Sequence, residues 1–191
     1  KRQPFRPASL MRIKAGIDND GNLIAWDAAR AGADISPDTF RSLLPALYSW
    51  MGDGMIEDVA NLSEWYFEKF ATDESSTEGL FEDYDHPNTR VTHMTVDHEL
   101  PMTFWRSVGH SYTAFAKESM IDEMAEAAGM DEVVFRLQNT QNTPRLNNVI
   151  RVAGEHMAKM NPPGGHHLGF AAHHSFYTDV AEIAEVSGEN G

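Results

Sequence analysis

The chain has no cysteine among its 191 residues. Disulfides and cysteine-ligated iron–sulfur clusters are therefore excluded within it, and electrons released at a site here would have to leave through another chain or region. It also lacks any run of about 18 apolar residues, the length that spans a bilayer as a helix. The opening Lys1-Arg2-Gln3-Pro4-Phe5-Arg6-Pro7 is not followed by the apolar core of a signal peptide. Positive charge is scarce: 15 Lys and Arg stand against 29 Asp and Glu, a formal charge of -14 at pH 7. Such a surface repels phosphate backbones and anionic headgroups, which argues against nucleic acid or a membrane surface as a primary partner. No Gly-x-x-x-x-Gly-Lys loop occurs, and no nucleophile stands beside a recognisable base. What is present is 41% hydrophobic content over a length that suffices for one sizeable core.

Two strand-like runs, 9–18 and 23–32, flank Asn19-Asp20-Gly21-Asn22, and Asp20-Gly21 is a strong hairpin signal. The string Asp18-x-Asp20-x-Asn22 imitates a calcium loop, but the required Gly and Glu positions hold Leu23 and Ala29. From 36 to 85 aromatics are mixed with acids. Ser36-Pro37-Asp38 predicts a short helix through Leu44, Ser63 a second ending near Phe70, and 72–79 a polar loop with little to bury. This segment fits a lid, a subunit contact or a disordered excursion. Residues 89–98 read as a strand whose continuation Pro101 limits. Helix periodicity over 113–128 ends at Gly129. Asp131 then caps a second helix, with Met130 and Phe135 as a hydrophobic staple. Thr143-Pro144 opens a third, with Leu146, Val149, Ile150, Ala153 and Met157 as its buried stripe. A closing strand over 168–187 runs into a turn at 188–191. The expected class is α+β, a mixed sheet with a hairpin packed by about three helices.

The distinctive stretch is Phe104-Trp105-Arg106-Ser107-Val108-Gly109-His110-Ser111, which leads straight into the 113–128 helix. It gathers a guanidinium and backbone N–H groups at one point, an arrangement that suits an anionic group. Gly and Ser serve ordinary turns equally well, and an arginine in so acidic a chain also serves as a salt-bridge partner. Of nine histidines, His166-His167 and His173-His174 form pairs. Neighbours on a strand face opposite sides, so zinc or nickel binding would require the pairs to converge in space.

The order of residues from Phe104 to Ser111, then Ala114-Phe115, Glu118-Ser119, Ile121-Asp122-Glu123, Ala128-Gly129-Met130-Asp131 and Phe135-Arg136-Leu137, resembles the molybdopterin-binding large subunit of the molybdenum hydroxylases. This is the xanthine dehydrogenase and aldehyde oxidase superfamily, and the likeness is strongest to the branch typified by the isoquinoline 1-oxidoreductase beta subunit. Phe5-Arg6-Pro7-Ala8-Ser9 with the first hairpin, and Gly169 to Phe176 with Val180 to Val186, are similar to flanking strands of that family; 36–85 is covered poorly.

The resemblance implies a single fragment, 1–191, of a molybdenum-cofactor-binding domain, in which 36–85 is a variable insertion and 100–160 carries the arginine motif and its helices. Arg106, Ser107 and Gly109 would bind the molybdopterin cofactor, Gly109 by permitting close approach. Trp105, Val108 and His173 would wall the substrate pocket; Val108 is smaller than the phenylalanine of xanthine-type members, which implies a differently shaped pocket. The reaction implied is hydroxylation of an aldehyde or N-heteroaromatic with oxygen from water. Its partners are the remainder of the molybdopterin subunit and a small iron–sulfur subunit, and the periplasm is the setting common in this branch. The family's Gly-Gly-x-Phe-Gly loop is absent, and its late glutamate base is expected beyond this chain, so no catalytic residue is expected within it. A non-catalytic binding or scaffold module that kept the family fold is the alternative.

Overall fold

The structure is a computed structural model that describes residues 5–96, 100 and 102–188. The expected break at Pro101, the strand end at 97–98 and the turn residues 189–191 lie outside the described residues. Among the described residues, five strands and six helices make the α+β class expected from the sequence.

Strand β1 (Ser9–Ile17) and strand β2 (Leu23–Gly32) form the first hairpin. Its turn is built on Asp18, whose carboxylate accepts the N–H groups of Asp20 and Asn22, both at 2.9 Å. Gly21 takes the left-handed φ of 80° that the Asp-Gly signal predicts. These bonds to the charged form hold the Asp18 carboxyl below its ordinary value, the Asn22 side-chain bond first among them. The turn is held from afar as well: Asn139 accepts the Leu23 N–H at 2.7 Å and donates to the Gly21 carbonyl at 3.1 Å. Strand β3 (Asn88–Thr95) joins β2 to give the order β1-β2-β3.

The chain divides into two compact units, one of residues 1–12, 28–80 and 91–113, the other of residues 13–27, 81–90 and 114–191. In the first unit, helix α1 (Ile35–Leu47) is longer than expected and has Pro45 in its last turn. Its N-terminus is capped by a distant carboxylate and not by Asp34 or Ser36: Asp73 accepts the N–H groups of Ile35 and Ser36 at 2.8 and 3.0 Å and the Ser36 hydroxyl at 2.9 Å. Helix α2 (Asp53–Lys69) has Gly52 as its N-cap, eleven residues before the expected cap, so Ser63 lies inside it. Arg41 of α1 reaches Asn61 and Glu64 of α2 at 3.0 and 2.9 Å. The polar stretch expected as a loop contains the one-turn helix α3 (Glu74–Thr77), and Asp73, Ser76, Thr77 and Leu80 are all buried. The buried hydroxyls there are bonded within the stretch, Ser76 to the Asp73 carboxylate and Thr77 to the Glu74 carbonyl.

Helix α4 (His110–Ala128) closes at Gly129, φ 66°, where the Met130 N–H reaches back to the Ala125 carbonyl at 2.9 Å as the left-handed glycine stop requires. Helix α5 (Glu132–Gln138) is capped by Asp131 as expected, with 2.9 and 3.0 Å bonds from Val133 and Val134. Helix α6 (Pro144–Met157) starts where expected, but the Thr143 hydroxyl makes no cap bond; it donates to the Asp83 carbonyl at 2.9 Å. The expected stripe is buried: Leu146 and Ile150 form a core cluster with Phe170 and Ala172, and Val149, Ala153 and Met157 pack against it.

The segment expected as one strand over 168–187 is two, β4 (His166–Ser175) and β5 (Thr178–Ser187), paired antiparallel from His166 opposite Ser187 to Ser175 opposite Thr178. The connection is Phe176-Tyr177, with φ 46° and 63°. Positive φ at both central residues is the type I′ turn, which normally uses Asn-Gly; two aromatics in that role hide the turn from sequence reading. Among the described residues no helix is long and apolar enough to cross a membrane.

Candidate cofactor site

The approach to the Arg106 loop is pinned within the first unit. Phe5 and Met102 form a parallel bridge, the Thr103 N–H donates to the Phe5 carbonyl at 3.3 Å, and the Phe104 N–H donates to Thr39 Oγ1 at 3.2 Å. A turn follows, closed by the Val108 N–H on the Trp105 carbonyl at 2.9 Å. Within it Ser107 and Val108 have φ of 69° and 45°. Left-handed backbone at non-glycine residues stores about 1–3 kcal/mol per residue and persists only where the surroundings fix it. A β-branched residue such as Val108 is among the least suited to it.

Gly109 ends the turn and is buried. A Cβ there would stand 2.5 Å from the Ser75 carbonyl oxygen, so the missing side chain lets the α3 backbone approach the loop. The first turn of α4 is then fastened by Thr113, whose hydroxyl reaches the Glu78 carbonyl at 2.5 Å, and by the Tyr112 hydroxyl on the Ser76 carbonyl at 3.2 Å.

Trp105, Arg106 and Ser107 are exposed and line an open pocket of about 600 Å³ together with Arg6 and Ser111. Val108, half-buried, stands next to it in sequence. Among the described residues the lining thus carries two guanidiniums, two hydroxyls and an indole, and no carboxylate, in a chain of formal charge -14. The N–H groups of Arg106 and Ser107 have no hydrogen-bond partner among the described residues. Donors without acceptors and positive charge without counter-charge among the described residues fit an anionic group such as the phosphate and polar pterin of a molybdopterin.

His173 belongs to the second unit and is not among the lining residues. Its Nδ1 lies 2.9 Å from Lys117 Nζ and 3.5 Å from Asp83 Oδ2, and Lys117 and Asp83 form a buried ion pair. Facing an ammonium, Nδ1 accepts, which places the proton of the neutral ring on Nε2. Two of the other paired histidines also meet carboxylates: His166 with Glu185 at 2.6 Å and His174 with Asp179 at 2.7 Å. The two pairs stand seven positions apart on β4, about 23 Å along a strand, and do not converge. Among the described residues no group of three or more His, Asp or Glu is placed to hold a metal ion.

Sequence reading missed three features. Arg6 appeared only as part of a strand lead-in, although it reaches the Arg106 loop across 100 residues. In the second unit, Glu118 is the centre of a buried network: it accepts the Tyr84 hydroxyl at 3.0 Å, Arg136 Nε at 3.0 Å and the Ala172 N–H at 2.9 Å. Burial, then the Glu118 charge, pushes the Tyr84 hydroxyl well above its ordinary value and keeps it a donor. Burial works against the Arg136 charge, but the Tyr84, Glu118 and Asp122 oxygens beside it outweigh that and raise its pKa. In the first unit Asp34, His93 and Arg30 form a chain, with His93 Nε2 2.6 Å from Asp34 and Nδ1 3.2 Å from Arg30, whose guanidinium lies 5.2 Å from the Tyr112 ring centre. Burial lowers the Arg30 pKa, with Tyr112 and Asp34 opposing the shift. Only alternation in β2 hinted at Arg30, and nothing local marked its partners.

Residues 61–140 match the family model described as the molybdopterin cofactor-binding domain, a span that starts within α2 and includes the whole Arg106 loop. The chain is 28% identical, over 97% of its length, to the beta subunit of isoquinoline 1-oxidoreductase from Brevundimonas diminuta, of which it covers 22%. It is 30% identical, over 80% of its length, to the B subunit of nicotinate dehydrogenase from Pseudomonas putida, of which it covers 11%. Among solved structures, the aldehyde oxidoreductase of Desulfovibrio gigas superposes with a TM-score of 0.55 at 19% identity, covering 87% of this chain and 18% of the other. Quinoline 2-oxidoreductase of Pseudomonas putida 86 gives 0.51 at 14% identity, with 89% and 21% covered. The likeness to the solved structures concerns the fold, and the chain spans about a fifth or less of each relative's length.

Proposed function

From its likeness to the molybdopterin-binding subunits of the molybdenum hydroxylases, among them the isoquinoline 1-oxidoreductase beta subunit, we propose that the chain belongs with them and that its Arg106 pocket seats the anionic part of the cofactor. The observation that carries this reading is the lining of Arg6, Trp105, Arg106, Ser107 and Ser111, which among the described residues includes no acid in an otherwise acidic protein. Arg106 would offer a planar fork to phosphate or to the polar edge of the pterin, and the Ser107 N–H and hydroxyl would complete the cradle. Gly109 serves by letting α3 support the loop from behind. The molybdenum held by a bound molybdopterin would supply two-electron redox chemistry.

The whole enzyme would oxidise an aldehyde or an N-heteroaromatic, taking oxygen from water. Trp105 and Val108 would shape the approach of that substrate, Trp105 with a flat apolar face that is 53% exposed. His173, with its proton placed on Nε2 by Lys117, would act as a hydrogen-bond donor toward substrate. Among the described residues the pocket lining carries no carboxylate or imidazole, and a proton-accepting group would come from elsewhere in the complete polypeptide. Electrons would leave through a small iron–sulfur subunit. The aromatics exposed on α1 and α2 and in the residues that follow each, among them Trp50 at 73% and Phe70 at 67%, fit a contact with that partner or with the rest of the molybdopterin subunit.

The test is the molybdenum and pterin content of the native protein and its Arg106→Ala variant, with the intact mass of the native polypeptide measured alongside. Severalfold loss of both in Arg106→Ala is the expected result. Full occupancy with unchanged turnover would reject the cradle, and a native protein without pterin would favour the scaffold reading.

A further inference from the structure

The turn that presents Arg106 is held by an arginine placed a hundred residues earlier in the chain. Arg6 follows Phe5, whose bridge to Met102 sets the two segments side by side. From there Arg6 Nη1 donates to the Arg106 carbonyl at 3.3 Å and also to the Ser111 hydroxyl. That hydroxyl donates onward to the Val108 carbonyl at 3.1 Å. The Trp105 carbonyl takes the Val108 N–H at 2.9 Å and the Gly109 carbonyl the Thr113 N–H at 3.2 Å. The turn's carbonyls at 105, 106, 108 and 109 are therefore all occupied, two of them through Arg6, while the N–H groups of Arg106 and Ser107 donate to no described residue. Between them stand Ser107 and Val108 at positive φ, a conformation that relaxes unless something fixes it.

We propose that Arg6 is a positioning residue for the cofactor loop. It occupies the loop's acceptors directly and through Ser111, so that the loop's donors are what an anionic ligand meets. It also adds a second guanidinium to the pocket that Arg106 lines. A single residue thus sets the loop's shape and doubles its positive charge. The inference rests on the reading of this pocket as a cofactor seat, but the brace itself is a property of this chain's own residues.

The experiment compares the native protein with Arg6→Gln, Arg6→Lys and Ser111→Ala by two independent readouts: amide hydrogen exchange over 105–112, and pterin and molybdenum per polypeptide. In Arg6→Gln, exchange is expected to rise severalfold over 105–112 and to stay unchanged in α6, with a severalfold loss of pterin. Arg6→Lys keeps the charge without the fork and recovers part of the pterin. Ser111→Ala, which leaves both arginines in place, loosens 105–112 by breaking only the relay to Val108, and it decides the matter should Arg6→Gln not fold. Unchanged exchange at 105–112 in both Arg6→Gln and Ser111→Ala overturns the proposal, as does full pterin content in a variant whose loop has loosened. A native protein that holds no pterin defeats the cofactor reading alone; the exchange comparison, with inorganic pyrophosphate as the added anion, still decides the role of Arg6.

Discussion

In the second unit the buried charges of Glu118, Arg136, Lys117 and Asp83 are spent on one another, whereas the arginines of the first unit's pocket stand at an exposed turn with donors in excess of acceptors. Glu118 and Arg136 are 6% and 0% exposed and are bonded to each other. Charges arranged that way hold a fold together but are closed to a ligand. Arg106 has the opposite properties, and the backbone that follows it is strained as well. The contrast separates charge that specifies structure from charge kept for recognition, in a chain where composition alone marks neither.

Breaking the closed network should give the largest effect. Glu118→Ala removes the acceptor shared by Arg136 Nε, the Tyr84 hydroxyl and the Ala172 N–H and leaves Asp122 as the carboxylate on the guanidinium, so a loss of about 3 kcal/mol is expected in urea unfolding. A loss below about 1 kcal/mol would mean that water replaces the carboxylate and that the network is open after all. Asp73→Ala is the matching test in the first unit. It frees the start of α1 and the Ser76 hydroxyl together, and about 2 kcal/mol should disappear, with faster exchange confined to the first turns of α1 and α3.

Replacing Phe176-Tyr177 by Asn-Gly gives the β4–β5 turn residues that tolerate its backbone, and a gain of about 1 kcal/mol is expected in thermal unfolding. No gain would mean that the exposed aromatics contribute packing that offsets their strain.

A smaller effect concerns His86, which stacks on Trp26 at 5.7 Å between ring centres. Burial depresses its pKa below the ordinary 6.5. A depressed group contributes stability that is full above its unfolded value and is lost as pH falls through that value toward the folded one. The melting temperature should therefore decline as pH drops below about 6.5, and less steeply in His86→Gln. Identical slopes would remove His86 from the account. Arg106→Ala closes the series: its guanidinium is exposed and has no structural partner among the described residues, so the exchange should change stability by under about 0.5 kcal/mol while cofactor content falls, the reverse of Glu118→Ala.

Local signals made much of this legible in advance. The Asp-Gly turn, the Gly129 stop, the Asp131 cap and the α6 stripe each lie within a few residues of the element they define, and the structure contains all four. Features that depend on distant residues were not readable. The α1 cap comes from Asp73, α2 begins at a glycine with no capping side chain, and a polar stretch is buried with its hydroxyls bonded within it. The β4–β5 turn failed for a different reason, since its residues are among the least common at left-handed φ. At the site, Arg106 was visible through its neighbours, but Arg6 and the His173 environment exist only once chain segments from far apart meet.

The first hairpin carries a consequence for the order of events during synthesis. Its turn is complete only when Asn139 closes on Leu23 and Gly21, contacts that span more than a hundred positions. Closing so long a loop is entropically unfavourable and slow relative to local steps. On a ribosome adding about 5–20 residues per second, β1 and β2 emerge many seconds before the residue that secures them. During that interval the pair is a two-stranded ribbon with open edges, the form of β structure most prone to pairing with the wrong strand.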